Sequence, residues 1–464
     1  MSQLLSTQAA AEGDLTALEA TIDRARGSIL YAERLATVRL RSLEDFRALP
    51  ITTRADLQRV GPHGTRAVPL DEVAHYGESS GTSGVINSTW LTTADLERDA
   101  RALRAAHPTV FAPGRVILNR FPFMAAPAHL IQLVAQQGGG VSIPAGNINW
   151  DVPFPRALEL AHRTGAQVLA GLPLEPVVLG EIARGRGVDV RQDLAFDTFL
   201  LGGSTLPPAL RRRLARIWNV EVIELYGSTE TMLLGTSCPA GTLHLETSLV
   251  YCEVLDATGN PAADDEEGRL VVTTLGIEGS PLVRLDTGDV VRRLPPCACG
   301  DTRPGIVVLG RASEVVTLAG RRLHAHTLVD AAAAAADALD SAVFLAVVLP
   351  DRLLVRVETD GRSATADASA ALHATLGDLP AEIETVPRDE LLDIELLGRS
   401  PHVYKPIVLS DWTRPGRHVL TLMQGMIEWP RPTSGEAWRW LGRVFRTAAR
   451  RRRLSRTLER SRTR

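Results

Sequence analysis

Apolar residues along this chain fall into short runs separated by polar, glycine or proline breaks. Arg115 to Leu118, Ala166 to Ala170, Phe199 to Leu201 and Val220 to Leu225 read as short buried strands. Helical spacing appears between them. Ala157 to Arg163 is one such segment, and Pro207-Pro208 opens another, with Leu210, Leu214, Ile217 and Trp218 on one stripe. Residues 92–106 follow Thr92 and Thr93, hydroxyl caps placed before Asp95 and Glu97. The first 75 residues read as helices with short connections. Strand and helix in alternation predict an α/β core. From Gly241 to Val307 the pattern turns β-rich, with breaks such as Asn260-Pro261. After Gly310-Arg311 alanine-rich helix and short strands mix on the scale of a small α+β domain. The expected layout is a large α/β domain with a β-rich subdomain over 1–310, a small α+β domain over 311–410 and an extension over 411–464.

Composition narrows the class. The 464 residues are 45% hydrophobic and 23% charged, as in folded globular proteins. A net charge of -3 gives no general attraction to nucleic acid or anionic membrane. No apolar run approaches roughly 18 residues, so no transmembrane segment is expected. The N-terminus lacks a basic start followed by an apolar stretch, and four cysteines are too few for a disulfide scaffold. A soluble, cytoplasmic protein is the expectation. The extension is arginine-rich, with Arg450 to Arg453 in a row, and Thr433 and Glu436 could cap a terminal helix. Of 51 lysines and arginines a single one, Lys405, is lysine. Where lysine has been so widely replaced, the survivor either marks a position that needs a compact ammonium rather than a planar guanidinium, or survives by chance.

Four polar motifs interrupt the apolar pattern. Ser79, Ser80, Gly81, Thr82, Ser83 and Gly84 form a small-residue loop able to wrap phosphate oxygens, or simply a surface turn. Tyr226-Gly227-Ser228-Thr229-Glu230 closes a strand, where a hydroxyl and a carboxylate suit a nucleotide–magnesium site. An ordinary strand-to-helix turn is the plainer alternative. Arg284 to Asp289 (RLDTGD) could hold a ribose diol through Asp289, or be a polar turn. Arg311 stands at the proposed domain boundary, where it could meet a phosphate.

The order of these motifs resembles the adenylate-forming (ANL) superfamily, and most closely its phenylacetate–CoA ligase-like branch. Arg24 to Tyr31 and Leu49 to Leu57 look like that branch's N-terminal motifs. The resemblance runs from about residue 20 to about 325, and more weakly to Lys405. It implies ATP and Mg²⁺ as cofactors, a small carboxylic acid as substrate and coenzyme A as co-substrate. Residues 79–84 would hold the ATP phosphates. Gly202, Gly203 and Ser204, with Glu224, Leu225, Tyr226 and Gly227, would line the adenine pocket. Thr229 would contact phosphate, Glu230 would bind Mg²⁺, Asp289 the ribose, and Arg311 the nucleotide. Lys405 would be the catalytic lysine, and Ser313, in place of the usual aspartate, would fall at a hinge. Phe121, Phe123, Met124 and His129 fall where the branch builds its acyl pocket, though ordinary core serves equally.

Cys238, His244, Cys297 and Cys299 supply three thiolates and an imidazole, a set that suits tetrahedral Zn²⁺. Related phenylacetate–CoA ligase-like sequences carry a similar pattern. Cys252 reads as a plain strand residue, and His75 and His129 show no paired spacing. The expected reaction is ATP plus acid to acyl-AMP, then transfer to coenzyme A. The alternatives are transfer to a carrier protein or an amine, activation of another oxyacid such as nitrite, or a non-catalytic nucleotide-binding protein. A homodimer and an acyl-acceptor protein stand open as partners.

Overall fold

The computed structural model describes residues 2–78, 87–123, 125–146, 152–399, 407–415 and 418–423. An antiparallel ribbon of β1 (His75–Glu78) and β2 (Ser88–Leu91) precedes the main sheet. The helix Thr93–Ala106 follows, and Thr92 caps it in a reciprocal box with Asp95. Five parallel strands come next: β3 (Val116–Asn119), β4 (Val141–Pro144), β5 (Val168–Gly171), β6 (Thr198–Gly202) and β7 (Glu221–Ser228). Helices Ala126–Gln137, Phe154–Thr164, Glu175–Gly185 and Pro208–Trp218 connect them. Every residue of β5 and β6 is buried, as helices on both faces of a parallel sheet require.

Antiparallel strands extend the sheet: β8 (Met232–Ser237), β9 (Leu243–Leu245), β10 (Val250–Leu255), β11 (Glu267–Thr274), β12 (Leu285–Arg293) and β13 (Gly305–Arg311). Among the described residues the sheet has eleven strands in the order β10-β11-β12-β13-β9-β8-β7-β6-β5-β3-β4. The N-terminal segment is pinned to the antiparallel half. Thr52 N–H donates to the Arg284 carbonyl at 2.8 Å, and the Arg284 guanidinium pairs with Glu253 at 2.9 Å in the interior.

Beyond Arg311 the chain forms a hairpin of β14 (Val316–Leu318) and β15 (Arg321–Leu323), then the helix Ala325–Ala338. A second sheet, ordered β18-β17-β16-β19, comprises β16 (Phe344–Val348), β17 (Leu353–Thr359), β18 (Ala381–Pro387) and β19 (Leu409–Asp411). This is the α+β pattern expected for that stretch. Its core continues past residue 411: Val419, Leu422 and Met423 are buried, and Met423 N–H donates to the Leu391 carbonyl at 3.2 Å. Most of the arginine-rich extension, with its expected terminal helix, lies outside the described residues.

Several polar contacts join the two parts. The helix Pro208–Trp218 starts behind Pro207, which has no side chain to cap it. The carboxylate of Asp330, on the helix Ala325–Ala338, accepts from Ala209 N–H at 2.8 Å instead. Arg213 pairs with Asp340 at 2.6 Å on the same side, and Arg216 pairs with Asp337.

Candidate active site

The carboxyl ends of the parallel strands deliver most of the expected site. β6 ends at Gly202; Gly203 then takes a left-handed backbone (φ 81°) that turns the chain toward Ser204. β7 carries Glu224, Leu225, Tyr226 and Gly227 and continues through Ser228, so the expected glycine turn is instead strand. The chain then folds back tightly into β8 rather than into a helix. A Cβ at Gly227 would stand 2.1 Å from the Met232 carbonyl oxygen, so only glycine fits this fold-back. Met232 itself sits at φ 61°, a costly backbone for a side-chain-bearing residue and one found most often beside functional groups.

The RLDTGD segment is strand too, not a turn. Asp289 on β12 stands directly opposite Arg311 on β13. Arg311 Nε lies 3.0 Å from Asp289 Oδ1, and the Tyr226 hydroxyl donates to Asp289 Oδ2 at 2.7 Å. A second Arg311 N–H donates to the Thr287 carbonyl at 2.7 Å, locking the guanidinium in place. Each carboxylate oxygen keeps a lone pair for a further donor, such as a diol. Burial raises the Asp289 carboxyl above its usual range, against the pull of Arg311. Burial, then the Asp289 charge, holds Tyr226 well above the ordinary phenol range, so it remains a neutral donor. Burial also pushes Glu224 up to about 7, opposed by Arg211.

These groups line a cavity of about 1150 Å³, which Ser204, Gly203 and Ser313 border as well. Ile407, Val408 and Leu409 of the C-terminal part form part of its wall. Lys405, two residues before Ile407, lies outside the described residues, as do Ser79 to Gly84. Those six residues belong to the connection between β1 and β2. Asn87, at its far end, donates from its amide to the Glu230 carboxylate, and Glu230 is buried. Thr229 is half-buried beside it.

Cys238, His244, Cys297 and Cys299 converge at the other half of the sheet, with one ligand atom from each all within 4.8 Å of one another. The Cys238 and Cys297 sulfurs are 3.8 Å apart, and Cys299 Sγ lies 3.4 Å from His244 Nε2. A tetrahedral ion with thiolates near 2.3 Å would space its sulfurs by about 3.8 Å, so the set fits Zn²⁺. His244 Nδ1–H donates to the Arg303 carbonyl at 2.9 Å, which leaves Nε2 free to ligate. The Thr242 hydroxyl, 3.2 Å away, draws the Cys297 thiol down to about 6. Cys252 lies apart on β10, its thiol pushed up to about 12 by burial. His75 and His129, which sequence spacing leaves unrelated, meet with ring centroids 4.4 Å apart. Phe121 is buried and Phe123 is 39% exposed.

Sheet and crevice together define the class: an α/β enzyme with a nucleotide-sized site at the carboxyl edge of its parallel strands. The chain belongs to the family of AMP-binding enzymes, whose model matches residues 18–278. It is 30% identical over 293 residues to the phenylacetate–coenzyme A ligase of Thermus thermophilus, covering 60% of this chain and 64% of that protein, a little under two thirds. It is 25% identical over 391 residues to the phenylacetate–coenzyme A ligase of Aromatoleum evansii, covering 81% and 84%. Among solved structures, 2-hydroxyisobutyryl-CoA ligase in its postadenylation state with 2-HIB-AMP shares the fold, with a TM-score of 0.74, 20% identity and coverage of 86% and 89%. The same enzyme in its thioesterification state gives 0.61 over 87% and 90%. Among the described residues no helix is long and apolar enough to cross a membrane.

Proposed function

We propose that the protein activates a small carboxylic acid with ATP, releasing pyrophosphate and forming an acyl-AMP, and then transfers the acyl group to coenzyme A. The observation that carries this reading is the Tyr226–Asp289–Arg311 constellation on the wall of the crevice. A carboxylate held between a guanidinium and a phenol suits a ribose diol. In the first step an acid oxygen attacks the α-phosphorus and pyrophosphate leaves. Both reactants are anionic, so catalysis consists of positioning and charge stabilisation. Residues 79–84 would hold the phosphates, Thr229 would donate to one of them, and Glu230 would supply a carboxylate ligand for Mg²⁺. Bound Mg²⁺ would supply charge neutralisation on the phosphates. Lys405 would bring its ammonium between the acid carboxylate and the α-phosphate; the wall formed by Ile407 to Leu409 favours that reach. Coenzyme A as acceptor is supported by the names of the relatives.

The Cys238–His244–Cys297–Cys299 set would hold a structural Zn²⁺ outside the chemistry. ATP–pyrophosphate exchange across a panel of carboxylic acids tests the first step, and thioester formation on adding coenzyme A tests the second. Exchange with no acid, in folded protein that binds ATP, would defeat the reading. Exchange without a thioester would leave a carrier protein or an amine as acceptor.

A further inference from the structure

On the inner face of the β1–β2 ribbon two buried polar atoms have no hydrogen-bond partner among the described residues: Nε2 of His75 and Oγ1 of Thr89. Thr89 is 1% exposed. The ribbon pairs His75 with Leu91 and Gly77 with Thr89, so alternation sets all four on one face. Gly77 brings no side chain to the space beside Thr89. The opposite face carries Tyr76 and Trp90, whose rings pack at 4.5 Å. The inner face meets the helix Ala126–Gln137, where His129 lies against His75. Leu91, Ala126 and Met232 share one small buried cluster. Leu91, on the same face, therefore packs beside the start of β8, whose Met232 stands two residues after Glu230.

Folded proteins rarely leave buried hydrogen-bonding atoms unmatched, because each forfeits its hydration without replacement. Two on one face make a hydrogen-bonding site that a guest would complete. The chemistry of the face constrains that guest. Burial, reinforced by His129, depresses His75 to about 4, so its ring is uncharged near neutrality. His129 Nε2 lies 3.0 Å from the Phe123 carbonyl, so its proton is committed there. An uncharged His75 ring offers a second carboxylate no countercharge. A hydroxyl both donates and accepts, and so matches a neutral imidazole nitrogen together with a threonine hydroxyl.

We propose that His75 and Thr89 bind a hydroxyl substituent of the acid, so that the enzyme selects a hydroxylated acid over its unsubstituted parent. This inference rests on the acid-activating reading above. The test is ATP–pyrophosphate exchange with phenylacetate, its three ring-hydroxylated forms, isobutyrate and 2-hydroxyisobutyrate. At least one hydroxylated acid should lead its parent by about tenfold or more in kcat/KM, since a site built to bond a hydroxyl discriminates strongly against its absence. Thr89→Val should remove most of that lead, and Thr89→Ser should retain it. Parents that equal their hydroxylated forms, as a resident water at the face would give, overturn the proposal. So does a lead that Thr89→Val leaves intact. Exchange with none of the six acids returns the activation reading to the wider acid panel. The substituent site is then read alone, from the imidazole NMR signals of the wild type, assigned with His75→Phe and titrated with the same acids; no shift at His75 overturns it.

Discussion

The crevice and the antiparallel half of the sheet carry two polar clusters of opposite character. In the crevice, Glu224, Tyr226 and Asp289 are all displaced from their ordinary ionisation by burial, and the Asp289 carboxylate keeps lone pairs for a further donor. In the antiparallel half, Cys238, His244, Cys297 and Cys299 face one another at spacings that one ion would complete. The first arrangement is tense and open, the second closed on itself. Tension at an open cavity suits transient ligands and chemistry, whereas closure suits a permanent guest and stability.

Substitutions should separate the two. The largest effect is expected at Lys405: Lys405→Arg keeps the charge and alters its shape. Adenylate formation should fall by about a hundredfold or more, while thioester formation from supplied acyl-AMP survives. Wild-type exchange in this variant would remove the lysine from the mechanism. Glu230→Ala and Asp289→Ala should each lower pyrophosphate exchange by about a hundredfold, with the fold intact by circular dichroism. Unchanged exchange in both would leave the crevice without its assigned role.

Cys297→Ser should act in the opposite sense. Metal analysis should find one zinc per chain in the wild type and less in the variant, and the variant should melt several degrees lower. Exchange per folded molecule should stay within about threefold, as the structural role proposed for the cluster requires. Zinc-free wild-type protein would sink the assignment.

Truncation gives a graded effect. From sequence alone, cutting after Trp412 is expected to spare adenylation. With Val419, Leu422 and Met423 buried, that cut opens the C-terminal core. Thermal unfolding should show destabilisation for the cut after Trp412 and near wild-type melting for a cut after Met423, with exchange retained in the latter. Equal melting of the two would show that residues 413–423 contribute nothing to stability.

The smallest effect concerns pH. Glu224's folded value of about 7 lies above its unfolded one. The stability this group contributes is therefore full at low pH and is lost as pH rises toward 7. Glu224→Gln should raise the melting temperature at pH 8, by about a few degrees, and change it little at pH 4. No difference at pH 8 would show that the carboxyl is not desolvated in solution.

Much of the α/β core is legible because strands buried on both faces read as apolar runs, as Phe199 to Leu201 do, and because Thr92 and Asp95 form a local cap. What stayed hidden depends on distant partners. Tyr226-Gly227-Ser228 looks like a turn, and only the approach of Met232 shows why strand continues through the glycine. Gly288 and Asp289 look like a turn as well, yet they belong to β12 through its pairing with β13. His75 and His129 are joined by packing of the ribbon on a helix, and chain spacing carries no trace of it. The four metal-ligand candidates were legible as a chemical set, although their spacing is unlike the usual CxxC pairs.

The contact between Asp330 and Ala209 has a mechanical consequence. The helix Pro208–Trp218 borrows its cap from the other part of the chain. Were that part to swing away between the two proposed steps, an N–H group at the helix start would open to water and the carboxylate would be freed. Helix caps contribute typically about 1 kcal/mol. The cap alone favours the docked arrangement several-fold, in addition to the Arg213–Asp340 and Arg216–Asp337 pairs beside it: a detent, which helps hold the parts in register.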